Sequence, residues 1–234
     1  TINDPIRVVN NTGQPFTVTV DGCGVMPAGY TTTPSSWGSC AAPVEGIRVT
    51  GSAPVDLLLV DAEMGGWCSG VQFNGASPSS LCVVRSRLFG NARGIDVVTA
   101  FKKATSPFSE CGTLAEGVAV VRSKLDQNQR YGVYTRQGAQ GIRLDANLVE
   151  RSGRVGTKVD GAGEGMGIYL GDTTVAQISH NRVRDNNNRG LAMANRSTVK
   201  GLDIAITNNA LVRNRGAGIS LFELLGVEGA SAIQ

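Results

Sequence analysis

The only histidine of this chain, His180, lies in the stretch SHNRVRDNNNRG (179–190), beside four asparagines and three arginines. An imidazole is the one side chain whose ordinary pKa suits proton transfer near neutrality. Cations cluster elsewhere at matching spacings: Arg85 and Arg87 in VVRSRLFG, Arg122 and Lys124 in VVRSKLDQ, and Arg182 beside the histidine. Such a set could hold an anionic group, and Arg122 or Lys124 could serve as a base opposite His180 or a tyrosine as acid. Tyr134 and Tyr169 could platform sugar rings through CH–π contact and hydroxyl bonds. Asp160 and Glu164, in GRVGTKVDGAGEGM, and the nearby Asp172 could supply the paired carboxyls of glycoside hydrolysis, or hard oxygens for Ca²⁺. Their spacing is diagnostic of neither, so no metal site and no cofactor is expected.

What must position these residues is a repeat. ISHNRVRDNNNRGLAM (178–193) and ITNNALVRNRGAGISL (206–221) align without a gap. Ile178 matches Ile206, Asn181 matches Asn209, Asn186 matches Asn214 and Gly190 matches Gly218. Further copies begin at 59, 83, 120 and 144, which gives a base unit near 24 residues with insertions. Each unit alternates apolar residues over two strands, inward at 57/59, 81/83, 118/120, 142/144, 176/178 and 204/206, and at 47/49, 71/73, 95/97, 133/135, 168/170, 191/193 and 219/221. Between them the chain bends through Met64, Leu88, Leu125, Val149, Val183 and Leu211. A unit this short leaves no room for a helix folded against a sheet. Each strand must instead pair in parallel with its copy in the next coil.

The pattern resembles the right-handed parallel β-helix of the pectate-lyase-like superfamily, closest to its carbohydrate-binding and sugar-hydrolase (NosD-like) repeats. The expected fold is therefore all-β: a single-stranded right-handed parallel β-helix of about six to seven coils with corner-loop insertions. One domain, 1–234, is expected, with clear repeats over about 46–223 and a tail or cap over 224–234. A leucine-rich repeat is the competing solenoid, but its helical or leucine-rich return is missing. The resemblance implies a protein that binds or processes a polysaccharide, acidic if the cations are free, on its outer face. An enzyme would be a polysaccharide lyase or glycoside hydrolase, with chemistry on a face shared by His180, Arg122, Lys124, Arg182, Tyr134 and Tyr169. The motifs of polygalacturonases, pectate lyases and alginate epimerases have no counterpart here. The alternative is a non-catalytic structural or adhesive rod, such as a surface protein or phage tail-fibre segment.

In this frame Asn147, Asn181 and Asn209 share one slot and Asn91, Asn128, Asn186 and Asn214 another. Stacked at bends, in left-handed geometry, they would bond their own turn and the amide above. Asn187 and Asn188 have no matching slot and are expected to be exposed. His180 shares its outward slot with Asp61, Arg85, Arg122, Ala146 and Asn208. The alternative for the cations is a solvated face balanced by neighbouring acids. Long insertions at 98–116 and 153–166 are the usual places for function on a regular solenoid.

A formal net charge of +3 does not point to nucleic acid, and no apolar run is long enough for a membrane span. Five cysteines without a CxxC pair suggest two disulfides and a spare thiol, hence a secreted or extracytoplasmic setting. Cys23 and Cys40, bracketing one turn-rich segment, are the first pair expected; the pairing of Cys68, Cys82 and Cys111 stays open. The chain opens in mid-coil at PIRVV (5–9), so a longer parent chain, end-to-end stacking or a homo-oligomer is expected.

Overall fold

A computed structural model describes residues 1–30, 44–100, 108–112, 117–136, 139–153, 165–173, 175–194, 203–222 and 232–233. Its strands form three parallel sheets of eight, eight and seven strands, each pairing with its copy one coil away. The first sheet runs from Ile6–Asn10 to Ile219–Phe222, the second from Phe16–Asp21 to Ala232–Ile233, and the third from Gly24–Val25 to Ala210–Val212. This is a right-handed parallel β-helix. The register follows the repeat: Ile47, Val71, Ile95, Val133, Ile168, Leu191 and Ile219 stack inward along the first sheet. Leu57, Leu81, Val118, Ile142, Ala176 and Ile204 do so along the second.

One feature differs from the sequence reading. The bends through Met64, Leu88, Leu125, Val149 and Val183 are short strands of a third sheet, so each coil has three strands rather than two. At the N-terminal end, where PIRVV opens the chain in mid-coil, Ile6–Asn10, Phe16–Asp21 and Gly24–Val25 supply one strand to each sheet. That coil carries no amide or glycine slot, so its copy of the repeat is degenerate.

The corners explain the asparagines. Asp61, Arg85, Arg122, Ala146, His180 and Asn208 all have φ between 47° and 56°, at the turn between the second and third sheets. The left-handed residue therefore precedes the amide rather than being the amide. Its reversal sends its own side chain outward and lets the next side chain enter the corner. There the ladder runs from coil to coil. The N–H of Ser123 donates to Asn147 Oδ1 (2.9 Å), that of Asn147 to Asn181 Oδ1 (3.0 Å) and that of Asn181 to Asn209 Oδ1 (2.9 Å). Gln127, Arg151, Asp185 and Arg213 mark a second left-handed corner, φ 53–57°. It is followed by Asn128, Ser152, Asn186 and Asn214. Ser152 interrupts that ladder: its N–H donates to Asn186 Oδ1 (2.9 Å), but its buried Oγ has no partner among the described residues. Asn188, expected to be exposed, is buried at 3% because its backbone joins Gly165 and Gly216 in the coils on either side.

The repeated glycine has a steric cause. A Cβ on Gly132 would lie 2.6 Å from Val149 Cγ1 and 2.7 Å from the carbonyl oxygen of Gly167, and Gly94, Gly167 and Gly190 meet the same obstacle in their own coils.

The disulfide expectation is corrected. Cys23 is a free thiol, partly buried against the barrel core, while Cys40 lies outside the described residues. Cys82 points out of the second sheet between inward Leu81 and Val83, and bonds Cys111 in the 3₁₀ turn Ser109–Cys111 (Cα–Cα 5.9 Å). Cys68 is also disulfide-bonded. The Cys82–Cys111 bridge seals a small second core of Leu58, Val84, Phe108, Ala119 and Val121 on the outside of that sheet.

Asn181→Ala leaves the N–H of Asn147 and the carbonyl of Leu144 without their bonds. It is expected to cost about 3 kcal/mol in urea unfolding, whereas Asn187→Ala changes stability by less than about 0.5 kcal/mol. Gly132→Ala is expected to cost about 1–3 kcal/mol in the same measurement, from overpacking alone.

Candidate binding cleft

The outer face of the first sheet carries one row that changes character along the axis. Arg48, Gln72, Asp96, Tyr134, Tyr169, Ala192 and Ser220 are vertical neighbours in register. The rings of Tyr134 and Tyr169 stack at 5.3 Å with 20° between planes. Tyr131, in the adjacent row, packs on Tyr134 at 4.6 Å and on Tyr169 at 5.8 Å. Met166 and Ala192 complete this apolar cluster outside the barrel. Burial pushes the Tyr131 phenol up to about 12, so it stays protonated over the physiological range.

Beside the tyrosines the sheet opens into a cleft of about 390 Å³, lined by Val98, Thr99, Tyr134, Arg136, Tyr169 and Asp172 among others. Its shape begins with a break in register: the pairing slips between Val97 and Thr99, as a β-bulge does, and Val98 and Thr99 form one wall. Thr99 is held by its hydroxyl, which donates to Asn74 Oδ1 (2.9 Å). Thr135, also along the cleft, is fully buried; its Oγ1 meets Thr173 Oγ1 at 2.7 Å and accepts from the N–H of Gly171 (3.0 Å).

The charges of this face centre on Asp96, which is fully buried. Arg136 forks onto it, with Nε to Oδ1 at 2.9 Å and Nη2 to Oδ2. Arg93 Nη1 reaches Oδ2 at 3.3 Å and Gln72 Nε2 at 3.4 Å. The two guanidiniums stand 5.3 and 5.7 Å from the centre of the Tyr134 ring, within cation–π range.

The other residues singled out by sequence fall elsewhere. Arg87 and Lys124 lie on the third sheet, where Leu148, not a cation, separates Lys124 from Arg182. They do not form a free basic stripe. Buried Asp126 takes Arg87 (3.4 Å), Lys124 (3.3 Å) and a fork from Arg151 (2.8 and 3.0 Å). Glu150 takes Lys124 (3.1 Å), Arg151 (3.1 Å) and Arg184 (2.8 Å). Arg85 forks onto Asp61 at 2.7 and 2.9 Å. Arg122 and Arg182 are exposed, with no ion pair among the described residues. His180 stands 61% exposed at its left-handed corner, Nδ1 3.1 Å from Asp145 Oδ1 and Nε2 3.4 Å from Asn208 Nδ2. The face expected to join His180, Arg122, Lys124 and Arg182 with Tyr134 and Tyr169 is therefore not formed: corner, third sheet and first sheet point different ways. Asp160 and Glu164 lie outside the described residues, as does most of the insertions 98–116 and 153–166.

Tyr134, Tyr169 and Asp172 are the candidates the structure brings together. Arg136 was missed. Its signal was present: two residues beyond Tyr134 it shares that residue's outward parity, just past the strand Tyr131–Thr135.

The three sheets and their register define a right-handed parallel β-helix protein, an architecture consistent with the pectate-lyase-like superfamily. Residues 109–224 match the family model described as right handed beta helix region. A search of curated proteins and a search of solved structures each return no match. Among the described residues no helix is long and apolar enough to cross a membrane.

Burial pushes the Glu150 carboxyl up, but hydrogen bonds from Lys124 and Arg184 outweigh it and hold the group below its ordinary range. Burial likewise raises Asp145, and bonds from His180, Ser179 and Arg143 bring it lower. Carboxyls depressed in the fold contribute stability above their unfolded values, about pH 4, and lose it as pH falls through the lower folded ones. Urea midpoints are expected to fall below about pH 4, and Glu150→Gln to flatten that limb while lowering stability at pH 7 by about 1–2 kcal/mol.

Proposed function

We propose that this β-helix is an extracytoplasmic carbohydrate-binding protein whose ligand lies in the first-sheet cleft across Tyr134 and Tyr169. The observation that carries the reading is the stacked, partly exposed tyrosine pair forming one wall of a 390 Å³ cleft edged by hydroxyl, guanidinium and carboxylate groups. Sugar rings offer C–H faces to aromatic rings and hydroxyls to such edges. The Cys82–Cys111 disulfide supports an oxidising compartment.

Binding is favoured over hydrolysis. Glycoside hydrolysis needs two carboxyls a few ångströms apart, and Asp172 is the one carboxylate among the described lining residues. The rod reading draws on a separate observation, the paired charges of the third sheet, which leave that face without a concentrated field.

Calorimetric titration with a panel of plant, algal and bacterial oligosaccharides tests the proposal, alongside assays for reducing ends and unsaturated products. Tyr134→Ala and Tyr169→Ala are each expected to weaken binding about tenfold, and His180→Ala to leave it unchanged. Binding that survives both tyrosine changes, or no binding to any glycan, overturns the reading.

A further inference from the structure

We propose that the cleft selects neutral, hydroxyl-rich sugars and discriminates against uronates and sulfated sugars. This rests on the carbohydrate reading above and names its ligand class.

The ground is the state of the arginines. Recognition of a sugar carboxylate or sulfate needs a guanidinium with its parallel N–H pair free. Arg136 is the one cation among the described lining residues, and its Nε and Nη2 are both committed to Asp96. Arg93, the second guanidinium beside Tyr134, turns its Nη1 to the same carboxylate, and its Nε, without a partner among the described residues, is buried away from solvent. Arg48, further along the row, faces Glu45 at 3.9 Å. On this face Arg93 and Arg136 thus share Asp96 and Arg48 stands near Glu45, while Asp172 adds a third carboxylate. Asp96 is fully buried, so an incoming anion cannot simply displace it. Asp172 lines the cleft itself. A carboxylate there accepts hydrogen bonds from sugar hydroxyls and repels a second anion.

The arrangement has a different use for its cations. Held 5.3 and 5.7 Å from the Tyr134 ring, they fix the ring against the sheet and leave the stacked pair as the contact surface.

The test compares neutral xylo-, manno- and cello-oligosaccharides with oligogalacturonate and a sulfated galactan on the intact chain, at about 50 and about 500 mM NaCl. A neutral ligand is expected to bind at least about tenfold tighter than either anion, with less than about twofold change over that salt range. Asp96→Asn releases the Arg136 fork and is expected to raise oligogalacturonate affinity about tenfold, in a salt-sensitive way. Circular dichroism reports whether that variant folds. Should it not, Asp172→Asn, at the partly exposed lining, is expected to narrow the neutral-over-acidic ratio at least about threefold. Tighter binding of an anionic glycan by the unaltered protein, lost at high salt, overturns the neutral preference and leaves the cleft reading standing. A folded Asp96→Asn without gained acidic binding also counts against it, as does an unchanged ratio in Asp172→Asn. Failure of every glycan to bind overturns both.

Discussion

Parallel pairing of each strand with its own copy, about 4.8 Å away, is the constraint from which the rest of this molecule follows. It places like positions of successive coils one above another and makes every irregularity propagate along the axis. A corner cannot be closed by sheet hydrogen bonds, because the chain turns there. The left-handed residue at each corner supplies the reversal. The amide behind it accepts from the coil before and donates back into that coil, as Asn147 and Asn181 do. The glycine at or just before the start of the first-sheet strands, from Gly46 to Gly190, answers the same demand from the steric side: with the next coil's carbonyl 2.5–2.8 Å from where a Cβ would stand, any larger residue forces coils apart.

Outside the barrel the same stacking turns charge into a vertical problem. A cation repeated at coil spacing faces its copy within a few ångströms. The chain answers by alternating sign between coils at the corners, Asp61 under Arg85 and Asp185 under Arg213. On the third sheet it sets Asp126 and Glu150, buried, among four cations. The result is a surface held by ion pairs across coils rather than a field aimed at a ligand.

The cleft arises where the regularity fails. The slip between Val97 and Thr99 tilts two side chains out of the ladder, and the tyrosines beside it replace the polar row that earlier coils carry. Its chemistry differs from that expected of a basic stripe because Asp96, inconspicuous in sequence as one outward residue among many, is the point on which Arg93 and Arg136 converge.

The β-helix, its inward positions and the stacking of Asn147, Asn181 and Asn209 were legible from the spacing of apolar residues, amides and glycines, since a repeat whose copies stack in register maps sequence slots directly onto spatial rows. So was the vertical contact of Tyr134 with Tyr169. The third sheet was read as a bend, because strands of three residues, such as Arg87–Phe89, leave too little alternation to register as strands. Contacts between rows escaped as well. Whether Lys124 is free depends on Asp126 and Glu150 in its own and the next coil, and whether His180 and Tyr134 share a face depends on the angle between sheets. Cys82 and Cys111 meet only because an inserted turn folds back over the second sheet. Slot matching fixes neighbours along the axis; neighbours around it, and those carried by insertions, are set by how the coil closes in three dimensions.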